Sequence, residues 1–318
     1  MLDLAKPADP DTIPNPYIAA LRRQIYSKKR VSRVDFQQAL ALPDGDGPDQ
    51  AELLGDLAVD LLVHQGDPPQ YVSPADADWL IAQIKAHELA YDVKMRILTE
   101  VLHYAISIPS RLSTFCLTEI ENAIVNGGKG HPAGDLTAFD VEALRQAVYA
   151  ADEAPLHVTR SEAESLFRIA HATAGHEADP AFDEFFAEAV GNHLMGVAFH
   201  GAPSVAEQMR LERFEAAPEP GLGGFLGAML SRVELPKPAD LDSVESRVEA
   251  HYATENAAKA KARAKAEEID QNETIWLYAH LTRRGAMTSA ERNLLAFLKR
   301  EVVAPPKGLA DLFAKVGI

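Results

Sequence analysis

Trp79-Leu80-Ile81-Ala82-Gln83-Ile84 and Trp276-Leu277-Tyr278-Ala279-His280-Leu281 are nearly the same phrase, written twice in one chain. Each runs on without a gap to a second apolar pair at the same distance, Ile97-Leu98 and Leu294-Leu295. A period of this kind marks a repeated supersecondary unit that buries its apolar face only by stacking on neighbours. The spacing predicts a unit of two helices joined by a short turn. A degenerate copy lies between them, with Val141, Leu144 and Val148 on one helix and Leu166, Phe167 and Ile169 on the next. Its connector, residues 151–158, is longer than the outer turns.

Local signals place the helix ends. Ser73-Pro74 puts a capping side chain before a proline suited to the first turn. Thr159-Arg160-Ser161-Glu162 and Thr288-Ser289-Ala290-Glu291 have capping-box spacing. Asp92 is the expected cap of the helix carrying Ile97 and Leu98. Asn126-Gly127-Gly128-Lys129-Gly130 is a stop. Ala and Leu are abundant while Val, Ile and Thr rarely cluster, which favours helix over strand. The fold class expected is all-α, with tandem helix-turn-helix repeats packed as antiparallel helix pairs. Pro- and Gly-rich stretches divide the chain into an N-terminal arm (1–16), a helical-repeat domain (17–199), a connector (200–241), and a long helix followed by a last repeat (242–318).

The Trp-Leu phrase followed by a turn and Ser289-Ala290-Glu291-Arg292-Asn293-Leu294-Leu295-Ala296-Phe297-Leu298 resembles the tellurite-resistance TerB-like helical module, over 79–104, 143–170 and 276–302. The resemblance implies an all-helical domain, metal binding through acidic residues in some members, and a link to stress responses or membrane-associated complexes. The turn Arg283-Arg284-Gly285-Ala286-Met287 carries no acid and departs from that pattern.

The richest set of metal-ligand residue types is 171–193, with His171, His176, Glu188 and His193 as candidate ligands for a divalent metal. The plainer reading is that Asp179-Pro180 opens a helix whose acids form its solvated face. Glu100 and His103 have the spacing of di-iron bundle ligands, but the motif occurs once where such sites need it twice. Asp44 to Asp49 lacks the glycine and glutamate positions of a calcium loop. Neither Gly-rich stretch is a phosphate loop. The lone cysteine, Cys116, sits among apolar residues and reads as a core side chain.

A net charge of −16 over 318 residues argues against nucleic acid as the main partner. Arg22, Arg23, Lys28, Lys29 and Arg30 form a basic patch, and Phe225, Leu226 and Met229 an apolar stripe. Both are candidate contact surfaces for a protein partner or, peripherally, a membrane surface. No apolar run is long enough to span a bilayer. The residues Met1 to Pro7 do not read as a signal peptide, which makes the cytoplasm the expected location. No nucleophile, phosphate loop or paired catalytic motif stands out. The leading expectation is therefore a non-enzymatic binding or scaffold protein without cofactor. The alternative is a metal-binding or metal-sensing stress protein using 171–193.

Overall fold

The computed structural model describes residues 15–42, 47–150, 158–176, 179–195, 269, 271–281, 283, 286–302 and 305–317. Among these, every regular element is a helix, and the few β-bridges, such as Tyr71 with Ser107, are isolated. No helix among the described residues is long and apolar enough to cross a membrane. The arm at 1–14, the apolar stripe at 225–229 and the long helix expected from 242 lie outside the described residues.

Among the described residues, twelve α-helices fall into four sets of three. The first set is α1 (Pro16–Tyr26), α2 (Arg33–Leu40) and α3 (Pro48–Val59), with α3 running on into a π-helical turn at Asp60–His64. The second is α4 (Pro74–Ala86), α5 (Tyr91–Tyr104) and α6 (Ser110–Asn126). The third is α7 (Ala138–Tyr149), α8 (Arg160–Ala172) and α9 (Pro180–Leu194). The last is α10 (Gln271–Leu281), α11 (Ser289–Glu301) and α12 (Lys307–Val316).

One relation recurs through the stack. The third helix of each set packs on the second helix of the next: α3 on α5, α6 on α8, α9 on α11. Within each set the first helix also touches the third. The all-α class is as the sequence predicts, but the repeating unit has three helices where the repeated phrase shows two. The extra helix escapes the phrase because α6 and α12 follow with unrelated wording. The helices of each phrase pack on third helices: α4 and α5 on α6, α10 on α12 and α11 on α9. Helices α10 to α12 belong to the same compact unit as α1 to α9. Of the segment that the sequence sets apart as a C-terminal part (242–318), residues 269–318 therefore belong to the same unit, and their buried side chains join the same core.

Three local devices build this packing. The first is the capping box. Ser32, Thr137, Thr159 and Thr288 each cap the N–H three residues on, and the acid there reaches back to the cap's own N–H. Each such cap is worth about 1 kcal/mol. Asp92 does not act as expected. The helix begins two residues earlier than that cap would set, Ala90 is the N-cap, and Asp92 lies inside the first turn. The N–H of Tyr91, one of the open donors at the helix start, is bound by the carbonyl of Lys129.

The second device is the tryptophan of each phrase. Trp79 on α4 meets Phe36 edge-on at 5.4 Å, with the Arg33 guanidinium 4.9 Å above its ring. Trp276 on α10 meets Phe167 edge-on at 5.6 Å, with the Arg160 guanidinium 5.6 Å above it. Arg33 and Arg160 are the first residues of α2 and α8. The repeated phrase is therefore matched by a repeated receptor on the second helix of the preceding set, where aromatic contact and cation–π attraction add to area burial.

The third device is glycine at close helix crossings. A Cβ at Gly191 of α9 would stand 2.5 Å from the Phe297 ring of α11, so only hydrogen fits there. Gly55 of α3 likewise faces Arg96 and Glu100 of α5. Substituting Gly191→Ala sets an overpacking cost of about 1–3 kcal/mol against a helix-propensity gain of about 1 kcal/mol. In urea unfolding Gly191→Ala is expected to destabilise the native protein. In a Phe297→Ala background the same change should become neutral or stabilising. Equal effects in both backgrounds would contradict the close contact.

Candidate functional site

Ionisable and aromatic side chains from four helices meet where α8, α9, α10 and α11 converge. Amphipathic spacing puts Phe167 and His171 of α8 on one face. The His280 ring stacks on Phe167, with centroids 4.6 Å apart and planes 24° from parallel, and lies 4.7 Å from Trp276. His193 of α9 meets the other side of the indole at 5.2 Å and turns its Nδ1 toward the Val158 carbonyl at 2.9 Å. The Trp276 indole N–H donates to Glu164 Oε1 at 3.3 Å, and Arg160 Nε donates to the same oxygen at 3.2 Å.

The electrostatics follow from this arrangement. Burial pushes the Glu164 carboxyl up, but the hydrogen bonds from Trp276 and Arg160 outweigh it and hold the group below its ordinary value. Burial pulls His280 below the usual imidazole value. Arg283, His171 and Arg160 add to that, against the attraction of Glu164. The buried Nδ1 of His280 has no hydrogen-bond partner. One turn along α8, His171 Nε2 lies 2.9 Å from Glu291 Oε1, the buried capping acid of α11.

Beside this cluster, a groove of about 670 Å³ opens between the end of α8 and the starts of α9 and α11. Ala170, Phe182 and Ala290 form its buried walls, and His176, Ser289 and Arg292 are exposed along it. The two helix starts are clipped together at one side. Ser289 Oγ donates to Asp183 Oδ1 at 3.1 Å, and the Asn293 amide donates to the Asp183 carbonyl at 2.9 Å.

The four residues singled out as metal ligands do not come together. His171 faces Glu291 and His193 faces Val158 and Trp276. His176 lies over Gly134, where an added Cβ would stand 2.6 Å from its Nε2. Glu188 is on the exposed side of α9, 3.5 Å from Arg145. Among the described residues no group of three His, Cys, Asp or Glu side chains could hold a metal ion. The physical reason is that α8 and α9 are joined by a turn, which sends residues close in sequence toward different neighbours. Glu100 likewise pairs with Arg96, while His103 packs on Tyr104.

The basic patch is largely engaged by the protein itself. Arg22 pairs with Asp56 at 2.9 Å and Glu52 at 3.1 Å on α3, and Lys28 pairs with the buried Asp35. Arg30 donates to Gln65 at 3.0 Å, and Arg23 to the Ala19 carbonyl at 3.3 Å. Lys29 stays exposed.

In the cluster, Trp276 and His280 carry only a repeat signal in the sequence, Glu291 only a cap signal, and Glu164 neither. The signal available was the shared spacing of Arg33 with Gln37 and of Arg160 with Glu164, which becomes meaningful once the Trp contacts are known. The chain matches no known protein family, no curated protein and no solved structure.

Cys116 is fully buried on α6 near Tyr91, and burial pushes its thiol up to about 12. Such a group is protonated at neutral pH and is a poor nucleophile. A disulfide reagent at mildly alkaline pH should modify no thiol in the folded protein and one thiol per chain in denaturant. Rapid labelling of the folded state would place Cys116 outside the core.

Proposed function

We propose that this protein is a non-enzymatic helical-repeat binding module that takes a segment of a protein partner into the groove at the starts of α9 and α11. The observation that carries the reading is the stacking of each third helix on the next second helix. Repeats arranged this way form a rigid array whose outer grooves serve recognition. The groove beside α11 combines a buried apolar wall with exposed polar and charged groups along it, the mixture that orients a bound chain. The stress- or envelope-linked process implied by the TerB-like resemblance, and a cytoplasmic setting, belong to this proposal and rest on sequence alone. Among the described residues, a metal-sensing role at 171–193 has no converging donor set to support it.

A photoreactive residue placed at Ser289, with a control at exposed Thr118 of α6, tests the reading in the native cell. Protein adducts are expected from position 289 and not from 118. They should disappear when Ala174→Trp fills the groove while the helical circular dichroism is unchanged. Adducts of equal yield from both positions, or none from 289, would contradict the proposal.

A further inference from the structure

The two tryptophan junctions can be aligned by sequence on Arg33 with Arg160 and on Trp79 with Trp276. The aromatic that meets the indole shifts from Phe36, three after Arg33, to Phe167, seven after Arg160, and one polar pair changes its chemistry. Gln83 of the first phrase corresponds to His280 of the second, and the receptor residue Gln37, four after Arg33, corresponds to Glu164, four after Arg160. In the first junction the Gln37 amide donates to the Gln83 amide oxygen at 3.1 Å. That pair has no proton to gain or lose near neutral pH. In the second junction the same places hold a carboxylate and an imidazole. The imidazole stacks on Phe167 and packs on Trp276, which touch each other, and its buried Nδ1 has no partner.

We infer that the α8–α10 junction is an acid-sensitive latch: protonation of His280 loosens the seat of Trp276 and frees α10 from α8, while the α2–α4 junction stays closed. Adding the proton creates an N–H at Nδ1 that finds no acceptor and a charge in a partly desolvated ring stack. The charged groups around His280 are of mixed sign. From α8 come Glu164, which favours the cation, and Arg160 and His171, which disfavour it. Arg283, just past α10, disfavours it as well, and His193 of α9 lies against the same indole. Glu291 of α11 is engaged with His171. The balance is a folded-state value below the ordinary 6.5. The sign follows: the unfolded or released chain binds the proton more readily, so the latch is closed above the ordinary value. It loses stability as pH falls through the folded-state value.

Trp276 reports the event directly, because Trp79 is the only other tryptophan. In a Trp79→Phe protein, emission and amide-exchange protection are measured between about pH 8 and pH 5. The expected result is a red shift of Trp276 and a fall in protection of α10 amides on acidification. Amides of α4 should keep their protection. His280→Gln, which installs the residue of the other junction, should abolish the change. Glu164→Gln removes the carboxylate that favours the cation and should move the transition to lower pH, which keeps the test open if His280→Gln folds poorly. An unchanged Trp276 signal, equal loss at α4, or persistence of the transition in His280→Gln would overturn the latch.

Discussion

A buried carboxylate is costly to keep out of water unless hydrogen bonds surround it, and this fold places several at helix starts. Asp35, Asp140 and Glu291 are essentially inaccessible to solvent. Each is the acid of a capping box and accepts from the cap's own N–H, and Asp35 and Asp140 accept from the cap hydroxyl as well. The remaining acceptor capacity is spent elsewhere in the chain. Asp140 accepts from Tyr91 Oη at 2.6 Å, and His131 Nε2 lies 3.3 Å away. Asp35 binds Lys28. Burial raises its carboxyl, but the bonds from Lys28 and Ser32 together prevail and hold it below the ordinary carboxylate value. Glu291 faces His171, which is 120 residues away in sequence. Asp76, the half-buried counterpart after Ser73, pairs with Arg33 of the preceding set at 2.7 Å. At Asp140, Glu291 and Asp76 a local helix signal thereby becomes a long-range tether, whereas Lys28 stands only seven residues from Asp35.

The apolar packing works with the tethers. Third helices carry much of the core, with Leu53, Leu54 and Leu57 on α3, Ile120 and Ile124 on α6, and Phe185, Phe186 and Val190 on α9 fully or almost fully buried. Each fills the space beneath the next second helix, and the tryptophan phrase closes the junction from outside. Greasy faces alone tolerate sliding between helices. Hydrogen-bonded acids do not, because a slipped register would leave buried charge unpaired. The combination gives one arrangement.

Much of this was legible in the sequence where the determinant is local. Helix starts at Ser73-Pro74, Thr159 and Thr288 could be read because cap, spacing and acid lie within four residues of one another. The glycine stop after Asn126 is of the same kind: Gly127 has a positive φ of 78°. The Trp phrase revealed a repeat but not its third helix, since periodicity in wording records only positions that face similar neighbours. Asp92 is not a cap because the helix already starts at Tyr91, whose N–H is held by the Lys129 carbonyl, from a loop after the following helix. His171 and His193 read as metal ligands because ligand types were dense along the chain. The structure gives them a carboxylate and a carbonyl on separate elements, which no spacing rule encodes. Gly191 carried no sequence signal at all, because its need for a hydrogen is set by Phe297 across the interface.

If capping acids tie distant sets together, the pair joining α8 to α11 should be energetically coupled. A double-mutant cycle with His171→Ala and Glu291→Ala, followed by urea unfolding, separates their mutual energy from the cap contribution of Glu291 alone. The expected coupling is about 1–3 kcal/mol, as for neighbours in one hydrogen-bonded network. Effects that add to within about 0.5 kcal/mol would contradict it, leaving Glu291 a cap for its own helix and nothing more.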